Sequence, residues 1–195
     1  SYSSVEKRKI NIAYIGINNH EIDLIAPFIE ALKCENVKNS YRLILYGNTI
    51  SNEKWNQLGL SEIAEYRGWL DYSKDVSTLK DIDVFLQLLD DNNVSKAGWP
   101  NKLGDYLAFG KPVILSPYGD IIDFVKNEKG FFIVEYNKYS ILKNLQEIKD
   151  IPYSDLKTMG YANRQLAEKI SWKNRAKNIE YICNKIRFNN ETVKN

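Results

Sequence analysis

Histidine and cysteine are almost missing from this chain. His20 is the single histidine in 195 residues, and Cys34 and Cys183 are the two cysteines. One histidine excludes a multi-histidine metal centre within the chain and speaks against a Ser-His-Asp triad. Two cysteines so far apart make neither a disulfide framework nor a zinc site, and they fit a reducing, cytoplasmic compartment. No apolar run approaches ~20 residues, so no membrane-spanning helix is expected. The tail from Ser1 to Lys9 has no apolar signal region and reads as a linker, as in a piece of a longer protein. The first strand is followed by Gly16-Ile17-Asn18-Asn19-His20, which is no dinucleotide fingerprint, and there is no Walker A motif. Both absences speak against a nicotinamide dehydrogenase or a P-loop enzyme. The absence of a dense basic run also removes nucleic acid as a partner.

What is present is ordinary for a globular domain: 44% hydrophobic and 27% charged residues. The charge is uneven. Residues 1–125 hold 13 basic and 17 acidic residues, net −4, and residues 126–195 hold 14 and 8, net +6. The basic segment could face an anionic membrane surface or an acidic partner, or simply coat exposed helices.

Ile10 to Gly16 reads as a strand ending at glycine, followed by a helix over 21–34 with Ile22, Ile25, Ile29 and Leu32 on one stripe. Arg42 to Gly47 is a second strand, Ser51 to Leu60 a helix capped by Ser51, and Glu65 to Gly68 a weaker strand. A short helix over Asp75–Lys80 leads to Asp83–Leu89, a strand with little polar alternation, as expected when both faces are covered. A polar loop of ten residues, Asp90 to Trp99, is long for a strand-to-helix connection. A helix from Pro100 to Phe109, with Pro100 as its first residue, the Val113–Leu115 strand, a helix over Ile121–Lys126 and a strand over Gly130–Val134 follow. Helices over 138–149, 153–169 and 172–187 close the chain, the last with Trp172, Ala176, Ile179, Cys183 and Ile186 on one stripe. Strict alternation of strands and helices predicts a Rossmann-like three-layer α/β/α fold with a six-stranded parallel sheet. The segments are residues 1–9, a tail; 10–170, the sheet domain; and 171–195, a terminal helix.

In such folds ligands bind outside the carboxyl ends of the strands, at a switch point. Gly16, Gly47, Gly68 and the 90–105 segment should share that rim. The amides that open the Pro100 helix suit an anion. Lys102 in the first turn opposes the helix dipole, which makes better sense beside a phosphate. Asp105 one turn on could accept two hydrogen bonds from a diol. The plain alternative is a solvated i,i+3 pair.

Pro100-Asn101-Lys102-Leu103-Gly104-Asp105-Tyr106-Leu107-Ala108-Phe109-Gly110-Lys111-Pro112-Val113-Ile114 resembles the P-x-K-x-x-E-Y-L-A-x-G-K-P-V-I signature of retaining GT-B glycosyltransferases of the large family 4, or group 1, class. Ser116 to Val125 resembles the family's T-D-x-G-G-I-P-E-V-V segment, Gly130–Val134 its G-F-L-V, and Ser171-Trp172 the S-W that opens its last helix. The resemblance covers about residues 10–187. It implies the C-terminal, nucleotide-sugar-binding half of a longer enzyme that works without metal or other cofactor. The missing N-terminal domain would hold the acceptor, and the last helix, from residue 171, would pack toward it. Peripheral association with the cytoplasmic membrane face is the expectation that the basic C-terminal segment carries.

The resemblance places Asn101 and Lys102 at the diphosphate, together with Gly16 and His20. Asp105 stands where the family has the glutamate that binds the ribose, one methylene shorter. Leu70 falls where backbone groups read the base, and Tyr72 could stack on it. Ala97, Gly98 and Trp99 form the loop on the sugar side. Two departures matter. Ala97 replaces the family's sugar-contacting glutamate, and Asn18, Asn19 and His20 replace the Arg and Lys after the first strand. Both features favour the competing reading, a non-catalytic binding or scaffold domain of the same fold. A sugar-nucleotide epimerase shares the architecture, but Gly110–Ile114 and Ser171-Trp172 argue against it.

Overall fold

The structure is a computed structural model that describes the backbone of residues 8–192 and the side chains of residues 8–186. The expected tail lies outside it up to residue 7, as does the side chain of Arg187. β1 (Ile10–Ile17), β2 (Tyr41–Gly47), β3 (Ala64–Tyr66), β4 (Val84–Gln87), β5 (Val113–Leu115) and β6 (Phe131–Ile133) form one sheet in the order β3-β2-β1-β4-β5-β6. Every neighbouring pair is parallel. The order reverses between β1 and β4, so the ligand-accepting crevice of this fold class opens there.

Two apolar layers cover the sheet because successive side chains of a strand point to opposite faces. On β1, Ile12 and Tyr14 join one core, with Phe28, Ile29 and Leu32 of α2 (Ala26–Leu32) and Ile141, Leu145 and Ile148 of α7 (Lys138–Ile148). Ala13 and Ile15 join the other, with Leu103, Tyr106 and Leu107 of α5 (Asn101–Ala108), Ile121 of α6 (Ile121–Val125) and Leu166 of α8 (Tyr153–Lys169). The three-layer architecture expected from the alternation is the one observed.

Several local expectations change. The single helix over 21–34 is two, α1 (Glu21–Leu24) and α2, broken at Ile25. Pro27 lacks an N–H and its ring would meet the carbonyl one turn back, so the helix restarts with proline in its first turn. The polar loop contains α4 (Asn93–Ala97), capped by the Asn92 side chain, which accepts from Ser95 N at 2.8 Å. Ser51 caps α3 (Asn52–Gln57) as expected. The segment Val76–Leu79 is 3₁₀ rather than α. Pro100 is the N-cap of α5 rather than its first residue.

The last helix, α9 (Trp172–Thr192), is longer than expected. Of its residues with described side chains, all are exposed except half-buried Asn174.

Candidate functional site

The rim is built where β1 ends beside the start of α5. Three contacts fix α5 there. The Tyr106 ring stacks on Phe85 of β4, with centroids 4.3 Å apart. The Tyr106 hydroxyl accepts from the Ile15 amide at 3.1 Å. Gly110, just past the helix, packs so closely on α8 that a methyl on Gly160 would stand 2.1 Å from the Gly110 carbonyl.

Gly16 is the bulge of β1: the register against β2 shifts between Ile15 and Ile17. Its φ of +87° is a conformation that side chains resist, and a Cβ there would stand 2.8 Å from Lys102 Cε. Glycine thus lets the Lys102 stem cross the end of β1. Lys102 Nζ lies 3.3 Å from the Tyr14 hydroxyl, 4.7 Å from the Tyr14 ring centre and 3.5 Å from Glu21 Oε2. The Tyr14 hydroxyl in turn donates to Glu21. The cation that opposes the helix dipole is therefore answered by a carboxylate of the same chain.

Asn18 places Glu21. Its side-chain oxygen accepts from the His20 and Glu21 amides at 2.8 and 2.9 Å and holds the turn that opens α1. Burial and the Glu21 carboxylate push the Tyr14 hydroxyl far above the ordinary phenol range.

Between α1 and the 89–102 segment lies a cleft of about 650 Å³. His20, Gly98, Trp99, Asn101 and Lys102 line it, so the structure brings these expected residues together. Trp99 is half tucked in, edge-on to Phe124 with centroids 4.8 Å apart. Ala97 is exposed at the end of α4 and does not line the cleft.

Asp105, Leu70 and Tyr72 stand apart from it, on the flank of α5. Tyr72 donates to Asp105 Oδ2 at 3.2 Å and stacks on Phe109 with centroids 6.2 Å apart. Burial and Asp105 push the Tyr72 hydroxyl up to about 12. The Leu70 side chain is buried in the core. It can offer a ligand its backbone only.

Sequence reasoning missed Glu21, Tyr14, Gln87 and Tyr136. Gln87, 4% exposed, lines the cleft, and its Oε1 is buried without a hydrogen-bond partner. Its signal was there to read: it is the only polar residue in the apolar run from Val84 to Leu89. Tyr136 closes the far wall and donates to the Leu24 carbonyl at 2.8 Å. Among the described residues no group of three or more His, Cys, Asp or Glu is placed to hold a metal ion. None of their helices is long and apolar enough to cross a membrane.

The family model for glycosyl transferases group 1 matches residues 9–149, from the tail end through α7. The chain belongs to the group 1 glycosyl transferases. No curated protein matches it. Solved structures similar to it include sucrose-phosphate synthase from Thermosynechococcus elongatus, at TM-score 0.68 and 14% identity, over 91% of this chain and 45% of that one. The catalytic domain of cholesterol-α-glucosyltransferase from Helicobacter pylori matches at TM-score 0.58 and 17% identity, over 84% of this chain and all of that one. HepE from Anabaena, solved in complex with UDP, matches at TM-score 0.62 and 14% identity, over 83% of this chain and 44% of that one. The fold is thus that of GT-B glycosyltransferases. This group 1 chain spans about 45% of the length of the synthase it matches.

Proposed function

We propose that this chain is the donor-binding domain of a glycosyltransferase that moves a sugar from a nucleotide-diphosphate sugar to an acceptor. The observation that carries the reading is the start of α5. In a group 1 chain, a helix start that no side chain caps, with Lys102 in its first turn, meets the glycine bulge of β1 at the switch point of the sheet. The amides of Asn101 and Lys102, with the Lys102 ammonium, would stabilise the charge that develops on the leaving diphosphate. Gly16 gives close approach, and His20 on the cleft wall is a further donor. Asp105, steadied by Tyr72, would accept from two adjacent ribose hydroxyls at once. Leu70 would meet the base through its backbone, beside the Tyr72 ring. Gly98, Trp99 and the end of α4 at Ala97 would border the sugar. The reading assigns no metal.

The acceptor would sit on a second domain, and α9 would cover its apolar stripe against that domain. The 195-residue chain alone would then bind donor without transferring sugar. Peripheral contact with a cytoplasmic membrane face would come through the basic C-terminal segment. A scaffold domain that binds no donor is the second reading; Glu21 on Lys102 and Ala97 in place of an acid favour it.

Isothermal titration with UDP, GDP, ADP and their sugar forms separates the two. Saturable binding of one base series supports the donor site, and no binding by any of them leaves the scaffold.

A further inference from the structure

The acidic side chains lining the cleft are Glu21, Asp23 and Asp90, against Lys102 as the one lysine. Two of the acids are engaged elsewhere. Asp23 pairs with Lys54 of α3. Asp90 accepts from Asn92 and Ser95 at 2.7 and 2.8 Å within its own loop. Glu21 alone turns to the α5 start. One oxygen, Oε2, takes both the Tyr14 hydroxyl and the Lys102 ammonium.

Tyr14 is fully buried, so its hydroxyl needs an acceptor in that place. Lys102 has a side chain only 31% exposed, and Glu21 only 29%, so the pair is shielded from much of the solvent. An oxygen anion at this point satisfies both groups. A phosphate oxygen has the same charge sign and the same acceptor chemistry.

We propose that Glu21 is a specificity-determining residue that fills the position of the donor's diphosphate in the free protein. A nucleoside diphosphate binds by displacing the Glu21 carboxylate from Lys102 and Tyr14. Glu21 thereby sets how strongly the site takes charge and weakens it for diphosphates relative to nucleosides. The physical reason is that one lysine cannot neutralise a carboxylate and a diphosphate together, and like charges forced side by side oppose binding. The inference rests on the reading of Lys102 as the diphosphate group.

The test is calorimetric titration of wild type, Glu21→Gln, Lys102→Ala and the double variant with UDP, GDP and ADP, and with the three nucleosides. Glutamine keeps the size and polarity of the side chain and removes its charge. Glu21→Ala repeats the test should the amide hold Lys102 as well, and melting curves confirm that each variant is folded. Glu21→Gln is expected to bind its preferred diphosphate about tenfold tighter or more. Its nucleoside affinity should be unchanged, and the gain should vanish in the double variant.

Diphosphate binding that Lys102→Ala weakens and both Glu21 variants leave unchanged overturns the inference while the donor-site reading stands. So does a Glu21→Gln gain that is equal for diphosphates and nucleosides, which would detach Glu21 from the diphosphate position. No saturable binding by any of these proteins sinks the donor-site reading, and this inference with it.

Discussion

α5 and α9 are both amphipathic, yet they end up in opposite circumstances. In α5, Leu103, Tyr106 and Leu107 are fully buried between the sheet and α8. In α9, Trp172, Ile179, Ile182 and Ile186 form a stripe that is 53–85% exposed. Apolar spacing on a helix says that a face wants cover; it does not say that the same chain provides it. That difference in cover also explains why α5 can carry a site. A helix whose large apolar residues, Leu103, Tyr106 and Leu107, are locked presents Lys102 and Asp105 from a fixed base, whereas the described side chains of α9 lack that anchorage.

The largest effect should come from cutting the support of α5. Phe85→Ala removes the ring on which Tyr106 stacks and leaves a cavity in a close-packed core. It should cost about 3–5 kcal/mol in urea unfolding. Next comes the clamp on the chain leaving α5. Asn163 of α8 is buried, and its amide donates to the Lys111 and Gly130 carbonyls at 2.8 and 2.9 Å. Asn163→Ala takes the donor from the Lys111 carbonyl and one of two from the Gly130 carbonyl, which still accepts from Val113 N at 3.0 Å, and should cost about 1–2 kcal/mol.

A smaller effect concerns Tyr72 on the flank of α5. Its hydroxyl is pushed from 10.0 up to about 12, first by burial and then by Asp105. The folded protein therefore keeps a proton that the unfolded chain has given up. Stability contributed by this group is present below pH 10 and is lost as pH climbs toward 12. Melting curves of wild type and Tyr72→Phe should differ in slope across that window. The smallest effect belongs to α9. Ile179, 62% exposed, should tolerate Ile179→Ala within about 0.5 kcal/mol in the 195-residue chain. A cost like that of Phe85→Ala would show that α9 is packed after all, and would erase the contrast.

Much of the α5 region was legible in the sequence, because its signals are local. Pro100, the apolar positions at 103, 106 and 107, Gly110 and Pro112 fix the ends and the buried face of one helix. The glycines at 16, 47 and 68 mark where strands end on one rim. Pro27 carried the break in the first helix equally openly, but the stripe of isoleucines running through it masked that signal. The partner of Lys102 was out of reach. Glu21 precedes it by 81 positions, and only the parallel crossover from β1 to β4 and on to α5 brings the two together. Asn163 was hidden for the same reason: a polar residue on a helix reads as solvated until the carbonyls it serves are in place.

The donor-site proposal turns on Lys102 answering a diphosphate and Asp105 a ribose. It is tested most directly by the melting-temperature shifts that UDP, GDP and ADP, and the matching nucleosides, produce in wild type, Lys102→Ala and Asp105→Asn. A ligand at ~100 times its Kd stabilises the native state by roughly 2.7 kcal/mol, which raises Tm by about 5–10 °C in a domain of this size. Lys102→Ala is expected to lose most of the diphosphate shift and keep the nucleoside shift, while Asp105→Asn loses part of both. Equal shifts in all three proteins would contradict the proposal and make the two residues a surface pair.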